Sequence, residues 1–118
     1  MRQGEIRRHV TELTDRSAVL SAIAEYDQLR QESFLKKYRF GKSTGYILRY
    51  EGHDYDSKAI AGVAFGIQHK TSPLRPGTGE IHGGVKPHEA GGVLMTLGFE
   101  IVGIDGLPVK LKQDSSTE

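Results

Sequence analysis

The chain has 118 residues, 36% of them hydrophobic, which is material for one domain with one modest core. Sixteen Lys and Arg stand against fifteen Asp and Glu, a formal net charge of +1, short of the strongly basic balance of many nucleic-acid binders. The lack of cysteine excludes disulfides and thiolate metal sites, no signal-peptide core opens the chain, and no stretch approaches the ~18 apolar residues of a membrane helix; the expectation is a soluble, cytoplasmic protein with no membrane partner.

Residues 1–12 are polar and read as an N-terminal arm, with Ile6, Val10 and Leu13 spaced for a short helix, an ordered arm or a frayed tail. Thr14 or Asp15 then offers a side-chain oxygen to the free amides of a first helical turn. Val19, Ala22, Ile23, Tyr26 and Leu29 recur at helical spacing and predict a helix over about 16–29. Phe34, Leu35 and Tyr38 predict a second, short helix from about Glu32, which Gly41 can stop. GYILRY at 45–50 favours a strand, 51–54 a turn, and Tyr55 the start of a brief return strand. Asp56 or Ser57 caps the next helix, which runs to about His69 with Ile60, Val63, Ala64 and Ile67 as its core stripe.

Residues 71–84, TSPLRPGTGEIHGG, are dense in Gly and Pro and form a loop. Pro87–Leu97 reads as another helix, because a first-turn proline loses no hydrogen bond. Gly98 ends it, and Phe99–Ile104 reads as a closing strand. Residues 105–118 are a polar tail or linker, which leaves 13–104 as the globular part. The expected fold is a small single α+β domain, about four helices packed on a short two- or three-stranded antiparallel sheet.

The stretch DYDSKAIAGVAFGI, residues 54–67, holds the first candidate site. Free amides and the helix dipole favour an anion at a helix start. Ser57 adds a hydroxyl there and Lys58 a charge; the plainer alternative is an ordinary capped helix with Lys58 solvated. Ala59, Gly62 and Gly66 share one face. Two glycines inside a helix cost about 1 kcal/mol each relative to alanine, so close packing, or else a ligand backbone, should offset them. Gly83-Gly84, with Lys86 and His88 beside them, could present amides to a phosphate, with His82 a further candidate for DNA contact, while Gly91-Gly92 mark a tight packing contact. Neither a P-loop nor a dinucleotide fingerprint is present.

Lys36, Lys37, Arg39, Lys42 and Arg49 fall within fourteen residues, interleaved with Tyr38, Phe40, Tyr46 and Tyr50. Cations pair with phosphates and rings stack on bases, although a solvated face and core aromatics account for the same pattern. Arg75 in the Gly/Pro loop is a further candidate to reach a groove. The five histidines show no zinc spacing, His82 and His88 with Glu80 or Glu89 being the one arrangement that could serve as ligands. No nucleophile elbow and no cysteine nucleophile occur. Nothing implies a cofactor or names an enzyme.

The succession LTDRSAVLSAIAEYD, FLKKYRFG, YILRYEGHDYDSKAIAGVAFG, PLRPGTGEIHGG and LMTLGFEIV, spanning roughly residues 12–103, resembles the N-terminal head domain of McrA-type restriction endonucleases, modification-dependent HNH nucleases of bacteria. The resemblance implies a noncatalytic module that contacts double-stranded DNA and senses its modification: methylated or hydroxymethylated cytosine, or phosphorothioate. Its partners would be the nuclease and other reader domains, in cis or in trans, since no His-Asn-His arrangement is found in this chain. Under it Arg39, Lys42, Arg49, Ser57, Lys58, Gly83 and Gly84 become backbone contacts, and Tyr46, Tyr50 and Tyr55 contacts to a base or a modified group. Where the family has an aromatic and a small residue before Gly-Gly, this chain has Ile81-His82, which bears on specificity if that loop touches the ligand. The alternative is a docking or dimerisation domain of such a nuclease, with little DNA contact.

Overall fold

The structure, a computed structural model, describes residues 7–111. Its elements run in the order of a 3-10 turn at Val10–Glu12, α1 at Arg16–Tyr38, β1 at Tyr46–Tyr50, β2 at His53–Asp56, α2 at Ser57–His69, α3 at Ala90–Thr96 and β3 at Glu100–Gly103. The strands form one antiparallel sheet in the order β2-β1-β3, with Leu48 of the central strand opposite Tyr55 and Ile101. The result is an α+β domain with three α-helices rather than about four.

The difference in helix number has a local cause. The two helices expected at 16–29 and from Glu32 are one element, broken at Arg30, whose backbone lies at φ 74° and ψ 165°. The break is sharp. Residues thirteen apart in a straight helix are separated by about 20 Å along the axis, yet the Tyr38 hydroxyl donates to Glu25 at 2.7 Å. Lys37 pairs with the same carboxylate, and the Tyr26 and Phe34 rings meet at 4.9 Å. The second arm of α1 therefore folds back on the first.

Asp15 caps α1, accepting from the Ser17 amide at 2.9 Å. The left-handed residue that ends α1 is Arg39, not Gly41; its amide closes back on Leu35 and Lys36. Two further boundaries differ from expectation. α3 begins at Ala90 rather than Pro87, because the Ala90 and Gly91 amides donate to the carbonyls of His82 and Gly84 and cannot extend a helix backwards. Ile67, expected in the core stripe of α2, is exposed, while Ile60, Val63 and Ala64 are buried.

The core gathers α1, α2, α3 and the inner sheet face, with Phe34, Leu48, Ile60, Phe65, Leu94 and Ile101 sealed from solvent. Within the stretch expected as an arm, Val10 is fully buried and its amide donates to the Glu80 carbonyl. Beyond residue 104, the Val109 amide donates to Ile101, so residues up to 109 still run along β3. Among the described residues no helix is long and apolar enough to cross a membrane.

Arg30 occupies a backbone region that is essentially reserved for glycine and costs other residues about 1–3 kcal/mol. Arg30→Gly should therefore raise the unfolding free energy by roughly 1 kcal/mol, part of the relief being offset by the greater freedom of glycine in the unfolded chain. Arg30→Ala should give no such gain. Urea denaturation of the three proteins checks this.

Candidate nucleic-acid interface

A cleft of about 340 Å³ opens where three segments meet. One wall is the connection from α1 to β1, Phe40 to Gly45. The second is the first turn of α2, with Ser57 and Lys58. The third is the Gly83-Gly84 pair, with Pro76 beside it. Of the residues singled out from sequence, the cleft brings together Lys42, Tyr46, Ser57, Lys58, Gly83 and Gly84.

The cleft is held from behind by Asp56. This residue stands at the N-cap position of α2 but makes no side-chain cap bond. Its carboxylate instead accepts from the Tyr26 hydroxyl at 2.6 Å, the Gln31 side chain at 3.0 Å and the Ser43 amide at 2.7 Å. It is 3% exposed, so these donors replace water. Tyr26 and Gln31 lie on either side of the Arg30 break, and Ser43 lies in the cleft wall. One carboxylate thus joins both arms of α1, the wall and the start of α2. Ser57 is buried too, and its hydroxyl donates to the Tyr46 carbonyl at 2.9 Å, tying α2 to the first residue of β1.

Glycines let the remaining wall come close. A Cβ on Gly62 would lie 2.6 Å from the tip of the Phe40 ring, and one on Gly66 would lie 2.8 Å from the Thr71 carbonyl oxygen. The small face of α2 therefore packs against Phe40 and the 71–74 backbone, which is the close packing expected to offset its glycines. Gly91 and Gly92 pack likewise on the backbone of Gly84 and Lys86. The same packing removes part of an expected anion site. The first amides of α3 are taken by the 82–84 carbonyls, so the loop meets the cleft with Gly83 and Gly84 themselves and not with the end of a helix.

The other candidates lie elsewhere. Arg39 and Arg75 line a neighbouring groove with Lys37 and Tyr38, which meets the cleft at Pro76. Arg49 pairs with Asp54 at 2.9 Å and faces Glu100 across β3, so acid surrounds it. Tyr50 packs edge-on against Phe99. Tyr55 is a core residue, its ring against Tyr26 and its hydroxyl donating to Asp27 at 2.7 Å, a placement that keeps it from a base. His82 is exposed and Lys86 half-buried, and neither lines the cleft. Among the described residues no group of three or more His, Asp or Glu is placed to hold a metal.

Sequence reasoning missed Asp56 as a buried hub and the loop 40–45 as a wall. The second had a signal: GKSTG is a run of small, polar and cationic residues between a helix and a strand.

A family model described as ScoMcrA-like, N-terminal head domain, matches residues 11–103. The chain belongs to that family. Among solved structures, the head domain is similar to the structure of the Type IV phosphorothioation-dependent restriction endonuclease ScoMcrA, at 34% identity and a TM-score of 0.53. The similarity covers 75% of this chain and 12% of that one, so the head domain matches a small part of a much longer protein. No curated protein matches.

Burial raises the Tyr26 phenol far above its ordinary value of 10.0, helped by the hydrogen bond to Asp56 and its charge. Tyr55 is raised likewise, by burial first and then by Asp27. A raised folded-state value means that this stability is fully present below about pH 10 and is lost as pH climbs beyond it. Tyr26→Phe leaves a buried carboxylate short of one donor and should cost about 1–3 kcal/mol at neutral pH. It should also flatten the alkaline loss of stability, leaving Tyr55, Tyr38 and Lys37, which are raised as well, to carry the remainder. Thermal melts of both proteins between pH 8 and 11 test the pair of effects.

Proposed function

We propose that this head domain is a noncatalytic DNA-binding module of a ScoMcrA-like restriction enzyme, and that it holds the duplex backbone in the cleft. The observation that carries the reading is the convergence of Lys42 and Lys58, from separate elements, on one opening beside Gly83 and Gly84. Neither lysine has an ion-pair partner among the described residues, whereas Arg8, Lys37 and Arg49 are each tied to a carboxylate. The dipole of the thirteen-residue α2 points its positive end into the same space. Asp56 behind the cleft subtracts from that field, which leaves the lysines to decide its sign.

In this reading Lys58 and Lys42 contact phosphates and Gly83 lets the backbone approach, while Tyr46 stands where a base or a modified group would meet the cleft wall. A Cβ on Gly83 would have only Lys58 Cδ nearby, at 3.9 Å, so Gly83→Ala narrows the cleft without disturbing the core. The sensing of modification is part of the proposal; the related endonuclease is described as phosphorothioation-dependent, which makes that duplex the first to compare. A second reading, protein docking, is favoured by Ile104 and Leu107, which are 66% and 63% exposed on the turn after β3.

Titration of unmodified, cytosine-methylated, hydroxymethylated and phosphorothioated duplexes at two salt concentrations separates these readings. Lys42→Ala/Lys58→Ala should weaken binding by about tenfold or more and lower the salt slope by about 0.9 for each phosphate that is no longer neutralised. The fold should be unchanged. Tighter binding of one modified duplex would identify what the module senses. If the folded protein binds no duplex, and Ile104→Ser/Leu107→Ser abolishes its association with the remaining domains of such a nuclease, docking is the better account.

A further inference from the structure

A second groove, of about 400 Å³, lies on the far side of Pro76. It is lined by Lys37, Tyr38 and Arg39 from the end of α1 and by Ser72 to Pro76 from the Gly/Pro loop. Pro76 also lines the cleft, so a single residue separates the two depressions. The lining is divided by character. Leu74 is buried and Pro73 and Pro76 are half-buried, which makes a smooth floor. The Arg39 and Arg75 side chains are exposed at its rim and make no ion pair among the described residues.

One feature sets Arg39 apart. Arg39 sits at φ 62° and ψ 42°, the left-handed position that glycine usually fills at a helix end. Glycine would close the helix with less strain, so an arginine here places a charge at a conformational cost. The groove lies at the C-terminal end of α1, where the dipole favours a cation such as Arg39 and repels an anion. Two of its last carbonyls are already bound, Leu35 accepting from Phe40 at 3.0 Å and from Arg39, and Lys36 accepting from Arg39. The nearby carboxylates are likewise committed: Glu25 to Lys37 and Tyr38, and Glu80 to Arg8 and the Arg75 amide. Arg39 and Arg75 face solvent without an ion pair among the described residues, although the Glu80 charge acts on Arg75 as well as accepting from its amide.

Pro76 cannot donate a hydrogen bond, and it holds the loop stiffly between the two depressions. Arg8 fixes the loop from below, donating to the carbonyls of Ser72 and Pro73 and to Glu80. The rim is therefore a positioned surface rather than a free loop.

We infer that the groove is a second phosphate-binding site on the same DNA, so that one backbone runs from the Lys42–Lys58 cleft over Pro76 to Arg39 and Arg75. This rests on the DNA-binding function proposed for the cleft and extends it to a ligand spanning both depressions. Arg39→Gly removes the charge while suiting the backbone, which makes it the informative variant.

The experiment measures binding of the 118-residue chain to an unmodified duplex across a salt series, for the wild type, Lys42→Ala/Lys58→Ala, Arg39→Gly/Arg75→Ala and the combined variant. Arg39→Gly/Arg75→Ala should reduce affinity about tenfold and the salt slope by about 0.9 for each phosphate released, and the combined variant should show both reductions added. Arg39→Lys/Arg75→Lys should recover the slope. Wild-type binding by Arg39→Gly/Arg75→Ala, with the cleft variant weakened, would overturn the groove alone. A weakened groove variant with an unchanged slope would also overturn it, because the interaction would not be ionic. An unaffected cleft variant would instead sink the cleft as the binding site, and with it the continuous track.

Discussion

The Asp56 carboxylate is the constraint on which the site depends. A carboxylate taken out of water is costly unless its lone pairs are bonded. Here the donors are Tyr26, Gln31 and the Ser43 amide. They come from three places that chain connectivity alone does not bring together. Gln31 reaches the carboxylate because α1 breaks at Arg30 immediately before it. Ser43 reaches it because the chain leaves α1 through Phe40, whose ring is pinned on Gly62. Removing one donor leaves the others holding an underbonded charge, so the three act as a unit. The strain at Arg30 and the absence of a side-chain cap on α2 are both understandable as consequences of satisfying that group.

Close backbone packing supplies the second constraint. Gly62 and Gly66 bring the 71–74 segment onto α2, and Gly91 and Gly92 bring the 84–86 segment onto α3. These approaches are reinforced by main-chain bonds, Leu74 to Gly62 and Gly91 to Gly84. A loop with this much glycine and proline is expected to wander, yet both its ends are fastened to helices and its middle is held by Glu80 and Arg8. The glycines that weaken the helices intrinsically are therefore what give the site fixed walls.

Much of the fold was legible because periodicity reports burial. The stripes Val19-Ala22-Ile23-Tyr26 and Ile60-Val63-Ala64 are buried, and the strand expected at 45–50 is the centre of the sheet. The features that escaped depend on contacts distant in sequence. Nothing local distinguishes an Asp56 that caps a helix from one that turns inward to Tyr26, thirty residues earlier. Nothing local says that the Ala90 amide will find the His82 carbonyl, so Pro87 looked like a helix start. At Arg39 the ordinary signal pointed the wrong way: a glycine two residues on was available to end α1, and the chain used an arginine. Tyr55 shows the same limit, since alternation in a short edge strand does not reveal which tyrosines face a core. The candidate site was readable as a set of residue types, and only in part as a place.

Near-zero net charge and a basic site are compatible because a field depends on arrangement and not on the total. Four of the described acids are engaged. Glu25 holds Lys37 and Tyr38, Glu80 holds Arg8, Asp54 holds Arg49, and Asp56 is sealed among its donors. Cations left without ion pairs include Lys42 and Lys58 at the cleft and Arg39 and Arg75 at the groove, on either side of Pro76. Arg39 and Lys42 come from the charge run at the end of α1, but Lys58 comes from α2 and Arg75 from the Gly/Pro loop, so the fold completes a grouping that the run only begins. For the DNA contact proposed above, a modest patch of this kind, backed by a buried carboxylate, suits an auxiliary contact better than autonomous tight binding. Affinity contributed by one module of several is multiplied by the effective concentration that tethering supplies.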